Sequence, residues 1–136
     1  MITIIGSKTD LKSASAFLHD ARFTFDAIDF NPQTQTFSLK LWVCAPRRKG
    51  GKDLQMWKAY LLSFAAVTDC KVKMHEKVSY YELATIRFVK REGCVHLVAH
   101  YGVEITLWIR ELAGAIKETD ESRQEWPNKS DSGCTD

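Results

Sequence analysis

The chain has 136 residues, 45% of them hydrophobic and 26% charged, with a formal net charge of +2. That length makes one domain that buries roughly two-thirds of its surface, so neither a metal nor a disulfide is needed to hold a core. The balance excludes a collagen-like, disordered or membrane-spanning chain.

At the start, Met1-Ile2-Thr3-Ile4-Ile5-Gly6 has its first charge at Lys8. A secretory signal needs a basic start and a longer apolar stretch, so a cytoplasmic protein is expected. Residues 9–20 read as a helix, with Thr9 as N-cap and Leu11, Ala14, Phe17 and Leu18 as its apolar stripe. Strict alternation follows. Phe37, Leu39, Leu41 and Val43 alternate with Ser38, Lys40 and Trp42, and Val95, Leu97, Ala99 and Tyr101 with His96, Val98 and His100. Val103 to Ile109 and Cys70 to Met74 repeat the pattern. Period two marks half-buried strands.

Between them, residues 53–68 fit two periods. Leu54, Trp57, Leu61 and Phe64 suit a helix, whereas Leu62, Phe64 and Ala66 suit a strand. The reading adopted is a short turn near 53–57 and a strand from about 60 to 67, which makes 44–58 the one long connection.

An offset of 58 residues relates two segments. Phe23, Phe25, Ile28 and Phe30 fall on Tyr81, Leu83, Ile86 and Phe88, and Phe37, Leu39, Leu41 and Val43 fall on Val95, Leu97, Ala99 and Tyr101. Turns of equal length, 31–36 and 89–94, lie between them, so each segment is read as a hairpin. The expected fold class is α+β and mainly antiparallel. An N-terminal helix packs on a curved sheet or half-open barrel built from two similar hairpin-plus-strand units. The domain is assigned to 1–114, with a possible internal repeat of 23–43 in 81–101. Residues 115–136 carry three cations against six carboxylates, a net of −3 that leaves +5 on residues 1–114. This acidic segment is read as a flexible tail with Trp126 as its one anchor.

Arg47, Arg48, Lys49 and Lys52 surround Gly50-Gly51, a basic loop suited to phosphates or an acidic protein. It lacks the spacing of a P-loop. Trp42 and Trp108 fall on polar strand faces with Lys40 and Arg110, where outward indoles would anchor a partner or stack on bases. Cys44, Cys70, Cys94 and Cys134 form no CxxC pair, so reduced thiols are expected. Cys94, His96 and His100 lie near one another in sequence, but on a strand residues four apart are about 13 Å apart, so the two histidines cannot share an ion. No metal or cofactor site is therefore assigned. Asp26, Asp29 and Glu82 read as turn carboxylates, and Glu104 with Arg110 as a surface pair. No nucleophile, base and orienting group stand at a readable spacing, so no catalytic residue is assigned.

The run from His19 to Pro32, its strand to Val43, and the closing Val103-Glu104-Ile105-Thr106-Leu107-Trp108-Ile109 resemble small, uncharacterised β-rich bacterial domains, some grouped with toxin-immunity proteins. The likeness covers roughly residues 10–112 and rests on hydrophobic spacings. It implies a bacterial cytosolic protein that acts by binding another protein, and it implies no catalytic residues. The basic loop departs from that pattern. The functional expectation is a non-enzymatic protein-interaction domain, possessing the outer face of Trp42 and Trp108 as its surface. The alternatives are nucleic-acid binding through the same cations and aromatics, and a small molecule held in a barrel-like interior. No membrane contact is expected. The chain is read as a monomer or homodimer, with 103–111 as a strand able to pair across a dimer.

Overall fold

The computed structural model describes residues 2–49 and 52–123, apart from the side chains of 46–49 and 52–55. Strand β1 (Ile2–Ile5) leads into helix α1 (Lys8–Phe17). Ser7 caps the helix, its hydroxyl accepting from Asp10 N at 3.1 Å while the Asp10 carboxylate accepts from Gly6 N at 3.0 Å. This reciprocal arrangement satisfies amides that the first turn would leave orphaned. The cap is thus Ser7 and not Thr9. Leu11, Ala14 and Leu18 enter the core, but Phe17 stays 47% exposed.

Nine strands follow. They are β2 (Arg22–Phe23), β3 (Ile28–Asn31), β4 (Thr36–Lys49), β5 (Lys52–Phe64), β6 (Val67–Met74), β7 (Tyr81–Val89), β8 (Cys94–Ala99), β9 (Val103–Ile109) and β10 (Gly114–Arg123). All described pairings are antiparallel. The order is β1-β10-β5-β4-β2-β7-β8-β9-β6, with β3 beside β4, and the sheet does not close into a barrel. The α+β class with a helix on a large antiparallel sheet is as the alternation predicts. α1 packs on β7 and β1, and one core unites Leu11 and Leu18 with Phe37, Leu62, Leu83 and Leu97.

Two hairpins share one register. Ile28 faces Leu39 and Phe30 faces Phe37; 58 residues on, Ile86 faces Leu97 and Phe88 faces Val95. The turns end alike, at Gln35 (φ +57°) and Gly93 (φ +65°). Each hairpin gains a third strand, β5 or β9. The strand after each third strand then crosses over: β6 follows β5 but pairs with β9, and β10 follows β9 but pairs with β5. The crossing links bond to each other, Ala65 N to Ala113 O at 2.7 Å and Arg110 N to Ala66 O at 3.0 Å.

Three sequence readings change. Residues 44–58 are not a loop, because β4 and β5 pair continuously from Phe37–Phe64 to Lys49–Lys52. The helical spacing there is misleading: Trp57 and Phe64 are both buried, but in different clusters. The expected acidic tail begins inside the sheet. β10 lies between β1 and β5 with Ile116 5% exposed, and its acids meet basic neighbours, Glu118 with Lys58 at 3.6 Å and Glu121 with Lys40 at 2.5 Å. Only 124–136, with Trp126, falls outside the described residues. Finally, β9 is flanked by β8 and β6, so 103–111 offers no edge for a dimer; the sheet's end strands are β1 and β6.

Gly114 shows how tight the crossing is. A Cβ there would meet the Phe64 ring at 2.7 Å and Ser63 O at 2.9 Å, whereas one on Gly6 would meet nothing within 4 Å. Gly114→Ala is therefore expected to destabilise the fold by about 1–3 kcal/mol, and Gly6→Ala to stay within about 0.5 kcal/mol of wild type. Urea unfolding of the two variants checks the contrast; equal stabilities would contradict it.

Candidate functional site

On β4, Phe37, Leu39 and Leu41 are fully buried in the core. The alternation sends Lys40, Trp42 and Cys44 to the opposite, outer face. Register places Trp42 opposite Ala59 and Arg22, and Cys44 opposite Trp57. Trp42, Trp57 and Ala59 form a second cluster, packed against by Cys44 and Tyr80. Arg22, 6% exposed, is the one buried charged residue among those described. Its guanidinium lies 4.6 Å from the Trp57 ring centre and 4.4 Å from that of Tyr80, and its Nε donates to Glu82 at 3.4 Å. A planar, weakly hydrated cation between two π faces is a favourable way to bury charge.

Trp42 is 8% exposed rather than a bare platform. Arg123 of β10 stands 4.3 Å and Lys40 5.3 Å from its ring centre. The polar strand face was legible, but not the cation that covers it from a strand eighty residues away. Trp108 is half-buried on β9, opposite Cys94 and Asp69. Four strand steps separate β4 from β9, about 19 Å along the sheet. The two indoles therefore do not form one surface. Arg110 donates to Gln35 at 2.6 Å, and Glu104 meets His75 at 2.7 Å, so the expected Glu104–Arg110 pair is absent. Of the basic group, the backbones of Arg47, Arg48, Lys49 and Lys52 lie at the end of the β4–β5 ladder; their side chains lie outside the described ones.

The surface that sequence reading missed is at β1. Ile2 is 59% and Ile4 66% exposed on this end strand. Beside them is a cleft of 260 Å³ lined by Ile4, Ala14, Phe17, Tyr60 and Ile116 among others. Phe17 and Tyr60 meet edge to face at 5.1 Å. The β-branched run Ile-Thr-Ile-Ile was the available signal. The opposite end strand differs: β6 exposes Asp69, Lys71 and Lys73.

Among the described residues, two groups bring metal-ligating atoms within 4.8 Å of one another, His19–Asp20–His100 and Glu92–Cys94–His96. His96 and His100 fall in separate groups, as the strand rise requires. Cys70 and Cys94 are free thiols, whereas Cys44 is disulfide-bonded, contrary to the expectation for that residue. Burial, helped by Asp69, pushes the Cys70 thiol up to about 11; burial and the Glu92 carboxylate also raise Cys94. Both are poor nucleophiles at neutral pH. The hydrogen bond from His75 holds Glu104 below the usual carboxylate range. Comparison with known proteins finds no matching family model, curated protein or solved structure.

The outer cluster makes a direct prediction. Trp42→Ala should cost about 3–5 kcal/mol of stability, as for a buried indole. Arg22→Lys should also destabilise, because an ammonium does not fill the slot between two rings. Chemical denaturation measures both; wild-type stability in either variant would contradict the packing described.

Proposed function

We propose that the chain is a non-enzymatic protein-interaction domain that takes an extended segment of its partner against β1. The observation that carries this reading is the pair Ile2 and Ile4, mostly exposed on an end strand beside an apolar cleft. An end strand presents unpaired backbone groups, and proteins usually guard such edges with charge. β6 has that guard in Asp69, Lys71 and Lys73, whereas β1 reads Ile-Thr-Ile-Ile. Added strands gain backbone hydrogen bonds from such an edge and specificity from pockets for alternate side chains. The resemblance to immunity-grouped domains favours a bacterial cytoplasmic setting in which the domain occupies a partner protein's surface.

The β4–β5 ladder supports a second reading. Beyond Cys44 and Trp57, β4 and β5 pair only with each other among the described strands, and the four cations sit at that end. A two-stranded ribbon fits the major groove of DNA.

A photo-crosslinking residue placed at position 4, at 71 on β6 or at 49 on the ribbon, in the native cell, separates these readings. The proposal expects a discrete protein adduct from position 4 that survives nuclease and disappears in an Ile2→Lys background. Absence of that adduct, or equal adducts from 4 and 71, would overturn it. Adducts confined to position 49 and lost with nuclease would install the nucleic-acid reading instead.

A further inference from the structure

We propose that His19, Asp20 and His100 form a binding site for a divalent transition-metal cation of the zinc class. This inference does not depend on the reading of β1.

The three side chains come from two places, the turn after α1 and the residue just after β8, and one stretch of β7 holds both. Glu82 O accepts from His100 N at 2.8 Å, and Leu83 O accepts from Asp20 N at 2.8 Å. Ala84 O lies 2.8 Å from His19 Nδ1. The β7–β8 register slips between Leu83 and Thr85, so Ala84 is the extra residue of a bulge. A bulge takes a residue out of its ladder and re-aims it, and bulges concentrate near functional sites. Asp20 has φ +69°, a left-handed conformation that Asp tolerates better than most residues. Its amide bond to Leu83 holds it there.

The Ala84 contact decides the chemistry of His19. A carbonyl oxygen only accepts, so Nδ1 carries the proton and donates, and in the neutral ring Nε2 is left as a lone pair. That lone pair lies 3.5 Å from Asp20 Oδ1, which is also an acceptor. Two acceptors facing each other at this distance can share a metal cation between them. On the other side, His100 Nε2 lies 2.6 Å from the same oxygen. The imidazole rings are 5.3 Å apart between centres. This fixed tautomer, with its far nitrogen tied to a carbonyl, is the usual outer-shell support of a metal-binding histidine.

The distances suit such an ion. Metal–nitrogen and metal–oxygen bonds of about 2.0–2.1 Å in a tetrahedron put ligand atoms about 3.4 Å apart. The His19–Asp20 separation already matches, and the His100 hydrogen bond opens by less than about 1 Å once its proton is replaced by the ion. The side chains of His19, Asp20 and His100 are 51, 58 and 39% exposed, which leaves an entry path and a fourth position for water. Two imidazoles and a carboxylate favour zinc, nickel or copper over magnesium or calcium. The Glu92–Cys94–His96 group is less prepared, because its buried thiol donates to Glu92 at 3.7 Å and must first lose its proton.

Titration of the full chain with zinc chloride at neutral pH, followed by calorimetry and by imidazole ¹⁵N shifts, tests the proposal. The expected result is one ion per chain, with Nε2 of His19 and of His100 shifted and magnesium without effect. His19→Ala and His100→Ala should each weaken binding by about 100-fold or more, beyond the 10–100-fold usual for outer-shell partners. Cys94→Ser should leave it unchanged. Absence of saturable zinc binding would overturn the site. So would binding that survives both histidine substitutions, or ¹⁵N shifts confined to His96. The wild-type shifts need no variant, so a misfolded substitution does not obscure the outcome.

Discussion

Everything in this fold passes through the crossing where β5 runs into β6 and β9 runs into β10. At Ala65–Ala66 and at Ala113–Gly114 the two links lie against each other and exchange backbone hydrogen bonds. Each then sends its next strand to the other three-stranded unit. Neither unit is complete without the other's strand: β5 has β10 as its second neighbour, and β9 has β6. Gly114 is what lets the Phe64 ring close over this junction. The single core that joins residues from both units is the packing counterpart of the exchange.

Charge follows the same path. The chain's basic body and acidic C-terminal segment look like separate regions when counted along the sequence, yet β10 brings Glu118 and Glu121 beside Lys58 and Lys40. It also brings Arg123 over Trp42. Cation–π contacts of this kind are worth about 0.5–2 kcal/mol each, more when desolvated, and they close the outer face on itself. Trp42, which alternation offers as part of a binding surface, is thereby engaged inside the chain. Among the described residues, the end strand β1 and the His19–Asp20–His100 cluster braced by β7 lie outside this closed face.

Local pattern was readable and long-range pairing was not. The helix, both hairpins and the 58-residue offset follow from periods of 3.6 and 2 acting within short windows, and the hairpin registers agree with that offset. Residues 44–58 read as a loop because Pro46 and the Gly50-Gly51 pair look like loop chemistry, although Pro46 lies within β4 and pairs with Gln55 of β5. β10 reads as tail because Ile116 is its one buried apolar residue and its acids find their partners sixty to eighty residues away. His19 and Asp20 could not be matched with His100 for the same reason: β7 brings them together. Trp42 illustrates the limit well. Alternation places it on the outer face, but only the sheet order reveals that Arg22 and Arg123 flank it there.

Native-state hydrogen exchange tests the exchanged-strand account most directly. Amides in the most stable part of a domain exchange only through global unfolding. The account predicts that the amides of Ala115 to Glu118 in β10 and of Lys71 in β6, which faces β9, are as protected as those of Leu39 and Leu97, and lose protection together in denaturant. Rapid exchange of 115–118 while Leu39 and Leu97 remain protected would mean that the acidic segment is a dispensable tail and that the two units stand without each other's strands.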